Sequence, residues 1–177
     1  MVIPRRHLRV AVIDAVYPSR LGVEFEIAQH GGMTVSSFGS CEEAVDSGVG
    51  YDVAVVDPKY LPGISGVAAV RALAAGFALV VVYTVDTGPF ASLEDGTFGG
   101  VVVVRSKTRC PVALLIRVFA SYFERSCGLQ PASGSGEQFG RRLPTRKQMQ
   151  VLGYIATGAM PTLLDTSVST RKRSSIT

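Results

Sequence analysis

Three polar residues stand where apolar runs end. Asp14 closes LRVAVID, Asp57 closes DVAVVD, and Thr84 closes ALVVVYT. If those runs are parallel strands, the three side chains fall at carboxyl ends, where open α/β sheets bind ligands. Two carboxylates brought together, Asp14 and Asp57, suit a hard divalent cation such as Mg²⁺ and are the candidate metal ligands. An aspartate can also accept a phosphoryl group, and a threonine hydroxyl can hydrogen-bond the added oxygens. Each residue alone reads as an ordinary turn former; the coincidence of three points to an acidic pocket of Asp14, Asp57 and Thr84.

The elements that must position them follow from the pattern of apolar runs. A continuous apolar run such as Leu8–Asp14 describes a parallel strand buried on both faces, and shorter or mixed runs bounded by turn signals describe further strands. Strands are expected at Leu8–Asp14, Met33–Phe38, Asp52–Asp57, Ala78–Thr84 and Gly100–Val104. Between them, helices are expected after Pro18, at CEEAVDSG behind a Ser40 cap, over Val67–Ala75 and over Pro111–Phe123. In the helix after Pro18 the apolar residues Leu21, Val23, Phe25 and Ile27 lie closer to alternation than to a helical period. The stretch Val85–Gly96 is polar, with a short helix expected around Phe90–Leu93. Strands alternating with helices at this spacing predict an α/β fold, a doubly wound five-stranded parallel sheet of flavodoxin-like order.

Composition narrows the classes. With 47% apolar and 18% charged residues, the 177-residue chain has material for a core, so disorder is excluded for most of it. The net charge of +4 is unevenly placed: residues 1–125 hold 11 Lys and Arg against 12 Asp and Glu, and residues 126–177 hold 7 against 2. A near-neutral body with a basic tail raises nucleic acid as a partner. Cys41, Cys110 and Cys127 form neither a disulfide framework nor a zinc pattern, which fits a reducing cytoplasm. His7 and His30 have no partners at metal-ligand spacing, no GxGxxG follows the first strand, and no Ser-His-Asp or Cys-His arrangement can be nominated, so no enzyme is expected. Gly66–Val85 reads as a helix, a break at Gly76 and a buried strand rather than a membrane span.

Residues 8–125 resemble the receiver domain of bacterial response regulators, and 141–177 resemble the start of a LuxR/NarL-type helix-turn-helix output domain. The resemblance is carried by VAVIDAVYPSRLG, YDVAVVDPKYLPGISG, ALVVVYT and PTRKQMQVLGYIATG. The last is similar to the family's LTPREREVLxLLAxG, with Thr145, Val151, Leu152, Ile155, Ala156 and Gly158 in matching places. It implies a receiver-like domain over 1–125, a Gly/Ser-rich linker over 126–140 and an all-α output segment over 141–177. It also implies Asp57 as phosphoacceptor, promoter DNA as partner, and a homodimer or a heterodimer with another regulator. Thr170, Arg171, Lys172 and Arg173 would touch DNA. Dimerisation would use residues 84–125, where Val112, Leu115, Ile116 and Phe119 offer either apolar surface for a second copy or a face for the core.

Departures from the family pattern reshape that expectation. The second acid after strand 1 is Ala15, which leaves one metal-holding carboxylate fewer, and the Asp57 loop is one residue longer than usual, with Pro58 removing a backbone donor. The phosphoryl-pairing lysine after strand 5 falls on a valine, or on Arg105 or Lys107 if a gap is allowed, and the aromatic switch residue on that strand is missing. A degenerate receiver is therefore expected, acting without normal phosphorylation and with Mg²⁺ only weakly held. From Ser169 only nine residues remain to Thr177, against roughly 25–30 for a full recognition helix and a fourth helix. The output segment is thus expected to be incomplete. That leaves a DNA-binding regulator, a receiver-only interaction protein that pairs with a full-length regulator, and a small flavodoxin-like enzyme as the readings in play.

Overall fold

The structure, a computed structural model, describes residues 7–95 and 100–128. Five parallel strands, β1 (Leu8–Ile13), β2 (Met33–Phe38), β3 (Val53–Val56), β4 (Leu79–Thr84) and β5 (Val101–Ser106), form one sheet in the order β2-β1-β3-β4-β5. Helices α1 (Tyr17–Ala28), α2 (Cys41–Asp46), α3 (Gly66–Ala74) and α4 (Val112–Gly128) connect or flank them, and a 3₁₀ helix, Gly88–Asp95, takes the β4–β5 crossover. This is the expected doubly wound α/β architecture. Because β1, β3, β4 and β5 are consecutive in space, whatever follows them lies along one edge of the sheet.

The apolar runs of β1, β3 and β4 are nearly unbroken because these strands pack on two sides, whereas the outer strands β2 and β5 are only partly buried. Ala11, Ile13, Ala54, Val56, Val80 and Val82 join Leu73, Phe77 and Leu93 on one face. Val10, Val12, Val53, Val55, Leu79 and Val81 join Val23, Ile27, Leu115 and Phe119 on the other. Every residue of β3 and β4 is buried. At about 1.5–3 kcal/mol per buried valine or leucine side chain, these two layers dominate the stability of the domain. They also hold the sheet edge rigid beneath the polar residues.

Local signals decide the helices. Ser40 caps α2 by accepting the Glu43 amide at 3.1 Å, and the Glu43 carboxylate returns to the Gly39 amide at 2.7 Å. The apparent alternation in the helix after Pro18 has a simple origin. Val23 and Ile27 face the core four residues apart, while Tyr17, Leu21 and Phe25 repeat at the same interval on the solvent side. A helix apolar on two faces imitates a strand in sequence.

Two expectations need correction. The last helix does not stop at Phe123 but runs to Gly128, three residues into the stretch read as linker, with the Ser126 hydroxyl and the Arg125 guanidinium donating back to carbonyls four residues earlier. Val112, Leu115, Ile116 and Phe119 do not offer a dimer surface: all four are buried against the sheet, because the helix spends that face on the core. The remainder of the linker, the segment 141–177 and its candidate DNA contacts Thr170, Arg171, Lys172 and Arg173 lie outside the described residues.

Candidate functional site

Asp14 sits one residue beyond β1, and its carboxylate is almost wholly buried. One oxygen accepts the Val16 amide at 2.8 Å, and the other accepts the Ser19 hydroxyl at 2.7 Å. Both donors belong to the entry of α1, so the aspartate ties strand end to helix start. Asp57 lies beyond β3. Pro58 brings no amide proton, and the donor is supplied one residue later by the Lys59 amide, 3.2 Å from Asp57 Oδ1.

The loop that follows is braced from α2. Gly66 N donates to the Pro58 carbonyl at 2.8 Å, closing the loop. Gly63 adopts φ +72°, and any side chain there would run into the Glu42 carboxylate, which accepts the Ile64 amide at 3.3 Å. Glu42 thus keeps the longer loop in place beside Asp57.

The residue that joins the two acids is Lys107, just past β5. Its ammonium lies 2.7 Å from Asp14 Oδ2, 2.7 Å from Asp57 Oδ2 and 2.9 Å from Ser19 Oγ. Its backbone amide donates to the Thr84 carbonyl at 2.9 Å, which carries the β4–β5 pairing one step beyond the strands. Of the two cations that end this strand region, Lys107 is the one that the fold brings to the acids. Arg105 turns instead to Glu94 of the 3₁₀ helix, 3.2 Å away.

Thr84 is buried at the same sheet edge, and its hydroxyl has no hydrogen-bond partner. The other buried side-chain polar atom without one, among the described residues, is Arg20 Nε; the same guanidinium donates through Nη1 to the Asp14 carbonyl at 2.7 Å. Two unpartnered donors thus flank a cluster in which the remaining groups are paired. Such groups cost about 1–3 kcal/mol each when left unmet, and both suit an oxyanion.

Asp14, Asp57 and Thr84, expected as a pocket, do lie along one edge of the sheet. Whether the two acids could hold Mg²⁺ depends on the donor set. All four of their oxygens already accept hydrogen bonds, and a cation stands between them. Ala15 is half-buried and offers no oxygen from its side chain. No group of three or more His, Cys, Asp or Glu is arranged to hold a metal ion among the described residues. The residues present do not fit a hard divalent cation.

Sequence reasoning named Lys107 only as one of several positions and overlooked Ser19 and Arg20. The available signal was a serine and an arginine in the first turn after Asp14, where donors gather at a helix start. Elsewhere, His7 Nε2 meets Thr34 Oγ1 at 2.6 Å, away from the acids. Cys41 and Cys110 are buried free thiols, and burial, helped by the Glu42 charge, pushes the Cys41 thiol up to about 12. That is the behaviour of a small core hydrophobe. No described helix is long and apolar enough to cross a membrane. A groove of about 560 Å³ lies apart from the acids, lined by residues that include Glu94, Arg105, Arg109, Leu114 and Val118.

No protein-family model matches the chain, and no curated protein matches it. Solved structures do. The response regulator domain of Thermotoga maritima CheB is 20% identical, covering 71% of this chain and 100% of that one, with a TM-score of 0.53. A two-component response regulator from Clostridium difficile is 16% identical, with coverage of 67% and 98% and a TM-score of 0.56. The receiver domain of Francisella response regulator 1452 is 17% identical, with coverage of 67% and 98% and a TM-score of 0.53. The chain has the fold of response-regulator receiver domains.

Proposed function

We propose that this chain is an atypical response regulator: a receiver-type domain that works with little or no phosphorylation and controls a basic C-terminal segment that binds promoter DNA. The observation that carries the reading is the Asp14–Lys107–Asp57 cluster at the carboxyl edge of a receiver-like sheet, with the unpartnered Thr84 hydroxyl at the same edge. Phosphoacceptor, acid and lysine are the parts a receiver needs, while Ala15 and Pro58 are departures that weaken phosphoryl chemistry at Asp57. Mg²⁺ has no role in this reading. The basic residues of 126–177, Arg171, Lys172 and Arg173 among them, supply attraction to phosphates.

Dimerisation belongs to the same reading. With the inner face of α4 committed to the core, the surface left to a second copy is the groove side, where Leu114 is exposed and Val118 partly so. A second role, as a partner of a full-length regulator without specific DNA binding, is favoured by one observation: Tyr17, Leu21 and Phe25 form an exposed apolar stripe along α1.

The deciding experiment titrates the full chain against candidate promoter fragments at rising salt. Preference for one fragment that survives moderate salt is expected. Equal affinity for every fragment, vanishing at moderate salt, overturns the regulator reading and leaves the pairing role. Intact mass after incubation with a small phosphoryl donor tests the chemistry. Little or no added phosphate is expected; a full equivalent that Asp57→Asn abolishes would overturn the phosphorylation-independent part.

A further inference from the structure

We infer that Lys107 is a tethered cation that fills the place between Asp14 and Asp57 and makes the pocket refuse divalent metal ions. The inference rests on reading the site as a receiver-type pocket and specifies what that pocket binds.

The hydrogen-bond inventory argues for it. A lysine ammonium has three N–H donors. Here it has three acceptors at bonding distance, Asp14 Oδ2 and Asp57 Oδ2 at 2.7 Å and Ser19 Oγ at 2.9 Å. The two remaining carboxylate oxygens take the Val16 and Lys59 amides. The cluster is therefore closed on both sides: no ammonium proton and no carboxylate oxygen is left over. A metal ion entering between the acids would have to displace the ammonium and would face it at close range if it stayed.

Charge points the same way. Two carboxylates and one ammonium leave a single negative charge, too little to draw a strongly hydrated dication out of water. Lys107 is also held from its own backbone, through its amide on the Thr84 carbonyl, so it cannot swing far without opening the end of the β4–β5 ladder. All three side chains are largely buried, at 18%, 4% and 14% exposure for Lys107, Asp14 and Asp57. Solvent therefore does little to screen them. Removing the ammonium while keeping the acids should turn a closed ion cluster into an ordinary two-carboxylate metal site.

The test is Mn²⁺ binding to the full chain, read by loss of the free-ion electron paramagnetic resonance signal, for wild type, Lys107→Met and Lys107→Met/Asp14→Asn. No saturable binding is expected for wild type at roughly millimolar metal, against saturable binding at least tenfold tighter for Lys107→Met. The double variant should lose most of that gain. Saturable wild-type binding that Asp57→Asn removes overturns the inference, and so does a folded Lys107→Met chain that binds no metal. Should Lys107→Met fail to fold, Lys107→Gln replaces it, and the wild-type arm decides regardless. DNA binding does not enter the readout, so failure of the regulator reading and failure of this inference are separate results.

Discussion

Lys107 and Arg105 are two cations two residues apart at the end of one strand, and they do different work. Arg105 stays within β5 and pairs with Glu94 across the outer edge, with 40% and 44% of the two side chains exposed. Lys107 lies past the last strand residue, over the sheet edge, and pairs with two acids that are nearly out of water. An exposed pair exchanges water for a partner at almost no net gain. A buried cluster holds charges that have nowhere else to go, so removing one member strands the others. The same residue class, separated by a single residue, thus forms a surface decoration in one case and the centre of the site in the other.

That contrast can be broken most directly at Lys107. Lys107→Met should destabilise the domain by about 2–4 kcal/mol in urea unfolding, since Asp14 and Asp57 would face each other with no cation between them. Adding Asp14→Asn should return a good part of the loss; a double variant no more stable than the single would mean that the acids do not repel.

A third buried ionisable group extends the comparison. Cys41 has its folded-state value raised from 9.0 to about 12, so the neutral thiol favours the native state at and below pH 9, and that contribution is lost as pH rises through the interval. Between pH 9 and 12 this one group should cost about 1 kcal/mol of stability per pH unit. The measurement is the difference between wild type and Cys41→Ala unfolding curves at rising pH, with equal slopes speaking against it. Slow alkylation of Cys41 in the native chain is the companion result.

Thr84 tests the opposite case, a buried polar atom with no partner. Thr84→Val removes the hydroxyl with little change of shape and should stabilise the unliganded domain by about 1 kcal/mol. A loss of similar size in a melting experiment would reveal a partner for that hydroxyl. The smallest effect is expected at the exposed pair: Arg105→Gln should change stability by about 0.5 kcal/mol or less and lose even that at high salt. If Arg105→Gln rivalled Lys107→Met, burial would not be what distinguishes them.

Much of the fold was legible because its signals are local. The runs LRVAVI, VAVV and LVVVYT are apolar except at Arg9 and Thr84, a pattern that fits strands covered on both faces, and their bounds were read to within a residue. The Ser40 cap was legible from its own four residues. By contrast, α1 was obscured by its second apolar face, and α4 was read short because Ser126 and Gly128 look like the start of the Gly/Ser-rich stretch that follows. The inward face of α4 reads as surface or as core from the sequence alone, since an apolar stripe looks the same whether it meets a sheet or a second molecule.

The site divides along the same line. Asp14, Asp57 and Thr84 could be found because each terminates a strand, and strand ends are visible in the chain itself. Lys107 could be named only as one of several positions, because what qualifies it is distance across the sheet: it meets Asp14 across 93 positions of sequence and Asp57 across 50. By itself the sequence determined the parallel sheet, the acids at its edge and the basic tail, all properties of composition and of periods two to four residues long. Only the tertiary structure decided which cation closes the acids and that their oxygens are all engaged. Strand order places β1, β3, β4 and β5 side by side, and burial then makes the charges they carry depend on one another.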